Sequence, residues 1–242
     1  MEARAAHGLS RRLIGQFFRT GQVTDVRPVA ARMLRITLEV PGLTWMPGQQ
    51  VRVCVGDVTA AGSWLDGMRR TYSVWAYDGS LLRLCVLDHG AGPGARWARS
   101  LRPGDEVLLS PPEGAMVLRP APYHLFAGEE TAAVAFSPML AELAARGEPW
   151  HAVIEVDGPA SRLPMPDGVT WCYRGGEPAA SSATLLAAVA RLDLPAEPGS
   201  AYVAGEARTA AAVCQHLTRD RGWPRRAIRS KPFWSPGRTG LD

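Results

Sequence analysis

Arg70-Thr71-Tyr72-Ser73, followed by His89-Gly90-Ala91-Gly92-Pro93-Gly94-Ala95-Arg96-Trp97, is the stretch whose reading decides the fold. Side chains alternate between the two faces of a strand, so Arg70 and Tyr72 share one face. A guanidinium can neutralise a pyrophosphate, an aromatic ring can lie against another flat ring, and a neighbouring hydroxyl can hydrogen-bond a ring edge. The glycine-rich segment reads as a turn entering a short helix over 95–101, whose unpaired amides form an anion site. Together the two segments supply what a flavin dinucleotide needs. Either one alone is common, since arginine and tyrosine alternate on many strands and glycine and proline punctuate every loop. Their order and separation carry the reading.

Around this pair the first half of the chain is strand-like, with strands expected at 22–26, 33–40, 50–55, 70–76, 81–87 and 106–110, separated by Pro-Gly, Asp-Gly and Gly-Asp turns. Six short strands and one helix predict an antiparallel barrel. The loop between residues 56 and 69, which holds Trp64, is expected to be mobile. After Pro120-Ala121-Pro122 the pattern changes. Strands at 123–127, 151–156, 170–173, 201–204 and 227–229 alternate with helices at 131–146, 181–191 and 209–221, which predicts an α/β domain with a parallel sheet. The chain thus divides into a barrel domain, 1–119, and an α/β domain, 120–242. A ligand of the second domain is expected at the carboxyl ends of its strands, where Gly128-Glu129-Glu130-Thr131 and Gly205-Glu206-Ala207-Arg208 fall. No GxGxxG fingerprint is present. Gly128 and Gly205 also read as simple strand ends, and Thr131 as a helix cap.

A hydrophobic content of 46% and a charged content of 21% over 242 residues are those of a globular chain with a substantial core. No run approaches the roughly 20 apolar residues of a membrane span. The first twelve residues hold three arginines and no apolar core of signal-peptide length, so a soluble cytoplasmic protein is expected. Cys54, Cys85, Cys172 and Cys214 are scattered, without CxxC or metal-ligand spacing, and read as reduced thiols with no metal site. A net charge of +4 gives a mild preference for anions. All but one of the 27 basic residues are arginine, spread along the chain, and Lys231 is the sole lysine. Without a basic stripe interleaved with aromatics, nucleic-acid binding is not expected. Nor is a membrane anchor, the apolar segment 9–18 being short.

Further motifs follow in order: Val86-Leu87-Asp88-His89-Gly90, Ala127-Gly128-Glu129-Glu130-Thr131-Ala132, Val203-Ala204-Gly205-Glu206 and Lys231-Pro232-Phe233-Trp234-Ser235-Pro236-Gly237. With RxYS and the glycine-rich turn, this series resembles the siderophore-interacting proteins, FAD-dependent ferric-siderophore reductases of the ferredoxin-reductase-like superfamily. The resemblance spans nearly the whole chain. It implies an FAD-binding barrel, an NAD(P)H-binding α/β domain whose tail returns to the flavin, and a monomeric reductase. Such an enzyme takes hydride from NADH or NADPH and passes single electrons to Fe(III) in a siderophore, releasing Fe(II). In that scheme Arg70 contacts FAD phosphate, Tyr72 packs on the isoalloxazine and Ser73 reaches its N5 edge. His89 and Gly90 line the adenine or pyrophosphate end. Gly92, Pro93, Gly94 and Ala95 form the turn that presents backbone amides, with Trp97 behind them. Thr131, Gly128 and Glu130 sit where nicotinamide approaches, Gly205 and Glu206 help hold its nucleotide, and Trp234 closes over the flavin. No residue is expected to act as a general acid or base.

His89 also reads as a strand-end surface residue, Trp97 as a core anchor and Trp234 as a docking residue for the tail. Two departures from the family pattern stand out. Trp75 occupies the position of a second basic residue, and Phe233-Trp234-Ser235-Pro236 lacks the usual tyrosine and arginine. Lys231, Arg229 and Arg174 are the candidates to replace the missing cations toward an anionic ferric siderophore. The departures keep two other readings open: a flavoenzyme using ferredoxin or a non-iron substrate, and a non-catalytic flavin- or siderophore-binding module.

Overall fold

The computed structural model describes residues 18–56, 69–90 and 92–238. The loop containing Trp64 and the N-terminal segment lie outside the described residues.

The first six strands are β1 (Arg19–Ala30), β2 (Met33–Glu39), β3 (Gln50–Cys54), β4 (Arg69–Tyr77), β5 (Leu81–Leu87) and β6 (Glu106–Leu109), with helix α1 (Pro93–Ser100) between the last two. They close into a barrel in the order β1-β2-β5-β4-β3-β6. Ile36 and Leu38, Val51 and Val53, and Leu82 and Leu84 are all fully buried, the period-two pattern of strands that turn one face to a barrel interior. β1 is longer than its hydrophobic pattern suggests. It pairs with both β2 and β6, and irregularities at Val23/Asp25 and Pro28/Ala30 let it bend from one partner to the other.

The second half comprises β7 (His124–Glu129), α2 (Glu130–Arg146), β8 (Trp150–Val156), β9 (Thr170–Tyr173), α3 (Ala183–Ala190), β10 (Ser200–Glu206), α4 (Ala207–Gln215) and β11 (Ile228–Trp234). The strands form a parallel sheet ordered β11-β10-β7-β8-β9. Every residue of β7 and β10 is buried, as expected of central parallel strands covered on both faces. Two elements differ from the sequence expectation. The third helix ends at Gln215 and gives way to a π-helical turn over His216–Asp220. The last strand continues from 229 to Trp234 and carries Pro232 within it. A proline cannot donate to a ladder, but β11 is an edge strand, where one side needs no donors. The Lys231–Trp234 motif is therefore fixed to the sheet.

The halves share a core. Phe136, Met139 and Leu140 of α2 cluster with Met33, Cys85 and Met116 of the barrel side, and Trp75 packs against the same group. Trp75, at the position of an expected cation, is thus a packing residue of this junction. Gly48, at φ +94°, leaves room at this junction: a Cβ there would lie 1.8 Å from the Met116 carbonyl oxygen and 2.9 Å from Sδ of Met139 on α2.

Candidate functional site

A cleft of about 730 Å3 is lined from one side by β4, β5 and α1 and from the other by the carboxyl ends of the sheet strands and residues 231–238. On the barrel side, Arg70, Tyr72 and Ser73 line it with Arg69 and Thr71. The Tyr72 ring stacks on Trp97 of α1, centroids 5.7 Å apart and planes 17° from parallel. Burial pushes the Tyr72 phenol well above the ordinary tyrosine range, with the Arg70 charge opposing, so it is a hydrogen-bonding group and not a titrating one. Two glycines allow these contacts. A Cβ on Gly94 would lie 2.3 Å from the Tyr72 hydroxyl, and one on Gly92 would lie 2.3 Å from the His89 ring.

Helix α1 begins with extended Gly92 at the N-cap and Pro93 in its first turn, with no side-chain cap and no acid in that turn. Gly94 and Ala95, in the first turn of this uncapped helix, line the cleft together with Arg69 and Arg70, which fits the pyrophosphate of a dinucleotide such as FAD. Gly90 instead belongs to the preceding turn. At φ +102° it donates to Asp88 Oδ1 at 3.1 Å and accepts from Arg99 at 3.0 Å, outside the cleft lining.

The sheet side is acidic. Glu129, Glu155 and Glu206 stand at or near the carboxyl ends of β7, β8 and β10, all buried. Glu129 caps α2, a place the sequence reading gave to Thr131; the Thr131 amide donates to its Oε2 at 2.8 Å and the Thr131 hydroxyl to its Oε1. Burial, then the adjacent Glu130 charge, raise Glu129 to about 7. Glu206 caps α4 through the Thr209 amide at 2.9 Å and also accepts from Ser181 N at 3.2 Å. Burial pushes Glu206 up, but these backbone donors outweigh it and hold the carboxyl below its usual range. Glu155 accepts from the Ser182 hydroxyl and is raised, chiefly by burial.

Glu130 and Thr131 line the cleft; Gly128 and Gly205 do not. Gly128 is a close-packing position, where a Cβ would lie 2.4 Å from Ala132 Cβ and 2.6 Å from the Ala204 carbonyl oxygen. Gly205, at φ +112°, makes room for Glu129: a Cβ there would lie 2.6 Å from Glu129 Oε1. Glu206 and Trp97 stand behind the cleft surface.

The three candidate cations separate. Lys231 lines the cleft and donates from Nζ to Gln50 Oε1, tying β11 to the barrel. Arg174 also lines it, but its guanidinium is turned inward, paired with Glu130 through both terminal nitrogens, one contact at 2.6 Å, and 3.9 Å from Glu155. Arg229 sits toward the amino end of β11 with Arg119, Arg225 and Arg226, around a different depression. Trp234 donates from Nε1 to Glu129 Oε1 at 3.0 Å, and residues 235–238 continue the wall. Sequence reasoning missed Glu129, Arg69 and Gln50 as lining residues. The signal for Glu129 was available, as an acid at the strand-to-helix junction three residues before the apolar run of α2.

Among the described residues, no helix is long and apolar enough to cross a membrane. The family model described as siderophore-interacting protein matches residues 121–237, and that of the siderophore-interacting FAD-binding domain matches 57–116. Ferric vibriobactin reductase ViuB of Vibrio cholerae is 28% identical over 179 residues, which cover 70% of this chain and 65% of that protein, just under two thirds of its length. A siderophore utilization protein from T. fusca superposes with a TM-score of 0.78 at 27% identity, covering 93% of this chain and 95% of that one. Phthalate dioxygenase reductase shares the fold at a TM-score of 0.70 and 18% identity, covering 90% of this chain and 68% of that one. With two family models meeting on one barrel-and-sheet chain, the protein belongs to the siderophore-interacting proteins and carries their FAD-binding domain.

Proposed function

We propose that the protein is an FAD-dependent oxidoreductase that passes electrons from NADH or NADPH through the flavin to Fe(III) held by a siderophore, releasing Fe(II). The observation that carries this reading is the single cleft shared by both halves, with an uncapped helix N-terminus and Arg70 on one wall and the sheet's strand ends on the other. The V. cholerae relative is named a ferric vibriobactin reductase, and phthalate dioxygenase reductase is described as transferring electrons from pyridine nucleotides. Bound FAD would supply the conversion of a two-electron donor into one-electron steps. The chain's own residues bind and orient. Arg70 and the Gly94 and Ala95 amides would meet phosphate, Tyr72 braced by Trp97 would support the flavin, and Ser73 would hydrogen-bond its edge. Siderophores hold Fe(III) with hard oxygen donors and bind the larger, less charged Fe(II) weakly, so reduction itself releases the metal. Lys231, Arg69 and Arg238 on the cleft wall would draw an anionic complex toward it.

A second reading keeps FAD and the acceptor but replaces the nicotinamide donor with a reduced protein such as ferredoxin. One specific observation favours it. In a parallel α/β sheet a dinucleotide's pyrophosphate normally meets helix N-termini, yet α2 and α4 are capped by their own glutamates, with Glu155 beside Glu129 on the neighbouring strand β8. Anaerobic flavin reduction with NADH, NADPH and reduced ferredoxin side by side separates the two. Fast bleaching by either nucleotide supports the first reading, and bleaching by ferredoxin alone replaces it with the second.

A further inference from the structure

Three elements converge on the carboxylate of Glu129, which is 1% exposed. From α2, Thr131 gives it an amide at 2.8 Å and a hydroxyl. From β11, Trp234 gives it an indole N–H at 3.0 Å. From β10, the absent side chain of Gly205 provides its space. Trp234 is the residue from which the chain leaves the sheet to run along the cleft, so whatever holds its indole sets the position of that wall.

We propose that Glu129 is the latch of the C-terminal segment: its ionised carboxylate holds the Trp234 indole and with it residues 234–238 against the cleft, and protonation loosens them. Hydrogen-bond chemistry decides where the proton goes. Oε2 faces the Thr131 amide, which can only donate, so a proton there would be opposed. Oε1 faces the Thr131 hydroxyl, which can rotate and accept. The same Oε1 is the acceptor for Trp234, whose indole can only donate. A proton on Oε1 therefore removes the charge-assisted bond to Trp234 while the Thr131 contacts survive. The charged groups around Glu129 are Glu130 on α2, Glu155 opposite it on β8, Glu206 on β10, and Arg174, which is paired with Glu130. With burial and the Glu130 charge bringing Glu129 to about 7, the latch responds near neutral pH. Glu129 acts through Trp234 and is a positioning residue. The latch needs neither electron donor nor acceptor, so it stands apart from the reading of the reaction.

The test is 15N-indole NMR of the full chain, flavin-free and FAD-loaded, titrated from roughly pH 5 to roughly pH 9. The Trp234 resonance, one of eight, is assigned by its loss in Trp234→Phe. In flavin-free protein it should shift as pH falls through neutrality, and its protection from solvent exchange, taken relative to the intrinsic rate at each pH, should fall. Glu129→Gln should abolish that titration. Thr131→Val removes a donor that favours the ionised form and should move the midpoint upward. A Trp234 resonance indifferent to pH, or one that titrates identically in Glu129→Gln, overturns the proposal. Should Glu129→Gln fail to fold, an unmoved midpoint in Thr131→Val overturns it equally.

Discussion

Arg70 lines the cleft and is the residue proposed to meet the FAD phosphate. On that proposal Arg70→Ala would remove a charge-assisted phosphate contact and should cost about 2 kcal/mol, roughly a thirtyfold rise in the FAD dissociation constant, read by flavin fluorescence on titrating stripped protein. Gly94→Ala makes a subtler claim. Its Cβ would lie 2.3 Å from the Tyr72 hydroxyl, so the ring must leave its stack on Trp97. FAD affinity should drop while the thermal midpoint moves by only a few degrees, about 1 kcal/mol of stability. Both effects concern residues close in sequence, which is why this part of the site was legible: a strand face and a glycine turn bring their chemistry together locally. Glu129 was not legible in the same way. Its environment is made by Trp234, 105 positions away, and by Gly205 on another strand, and no local pattern announces either contact.

At the scale of elements, the parallel strands deliver acids to one end of the sheet, and the consequence is thermodynamic. Glu129 is raised from 4.5 to about 7 on folding, so the native state binds a proton more tightly than the unfolded chain. Its stabilising contribution is full below pH 4.5 and is lost as pH rises through 7, on the order of 3 kcal/mol in total. Urea unfolding of wild type and Glu129→Gln at the two ends of this window checks the sign. Wild type should lose stability relative to the variant as pH rises, and parallel profiles would contradict it. Gly205→Ala should destabilise by about 2 kcal/mol at neutral pH, since φ +112° strains any side chain and the new Cβ meets Glu129. An unchanged urea midpoint would refute that. Element types were readable throughout from hydrophobic period and turn residues. Two ends differ: the last helix turns π-helical after Gln215, and β11 runs on through Pro232, which only an edge strand accommodates.

For the whole molecule, the decisive feature is asymmetry between the helix ends at or behind one cleft. The N-terminus of α1 is uncapped and set among arginines, ready for an anion; those of α2 and α4 are filled by Glu129 and Glu206. Barrel and sheet share a core through α2 and Trp75, so the two walls are held by packing and by the Lys231–Gln50 contact. Domain order could be read from the change of pattern after Pro122. That Arg174 is consumed by Glu130, and that Arg229 belongs to a different surface, could not, because strand direction and side-chain pairing decide both. The most direct measurement is the anaerobic visible spectrum of the FAD-loaded protein, recorded after stoichiometric NADH or NADPH and again after a ferric siderophore with a ferrous chelator present. The flavin band should bleach with a nucleotide and recover with the iron complex as the Fe(II)–chelator band grows. A reduced flavin that the ferric complex leaves bleached, with no Fe(II) formed, would contradict the proposed ferric-siderophore reductase.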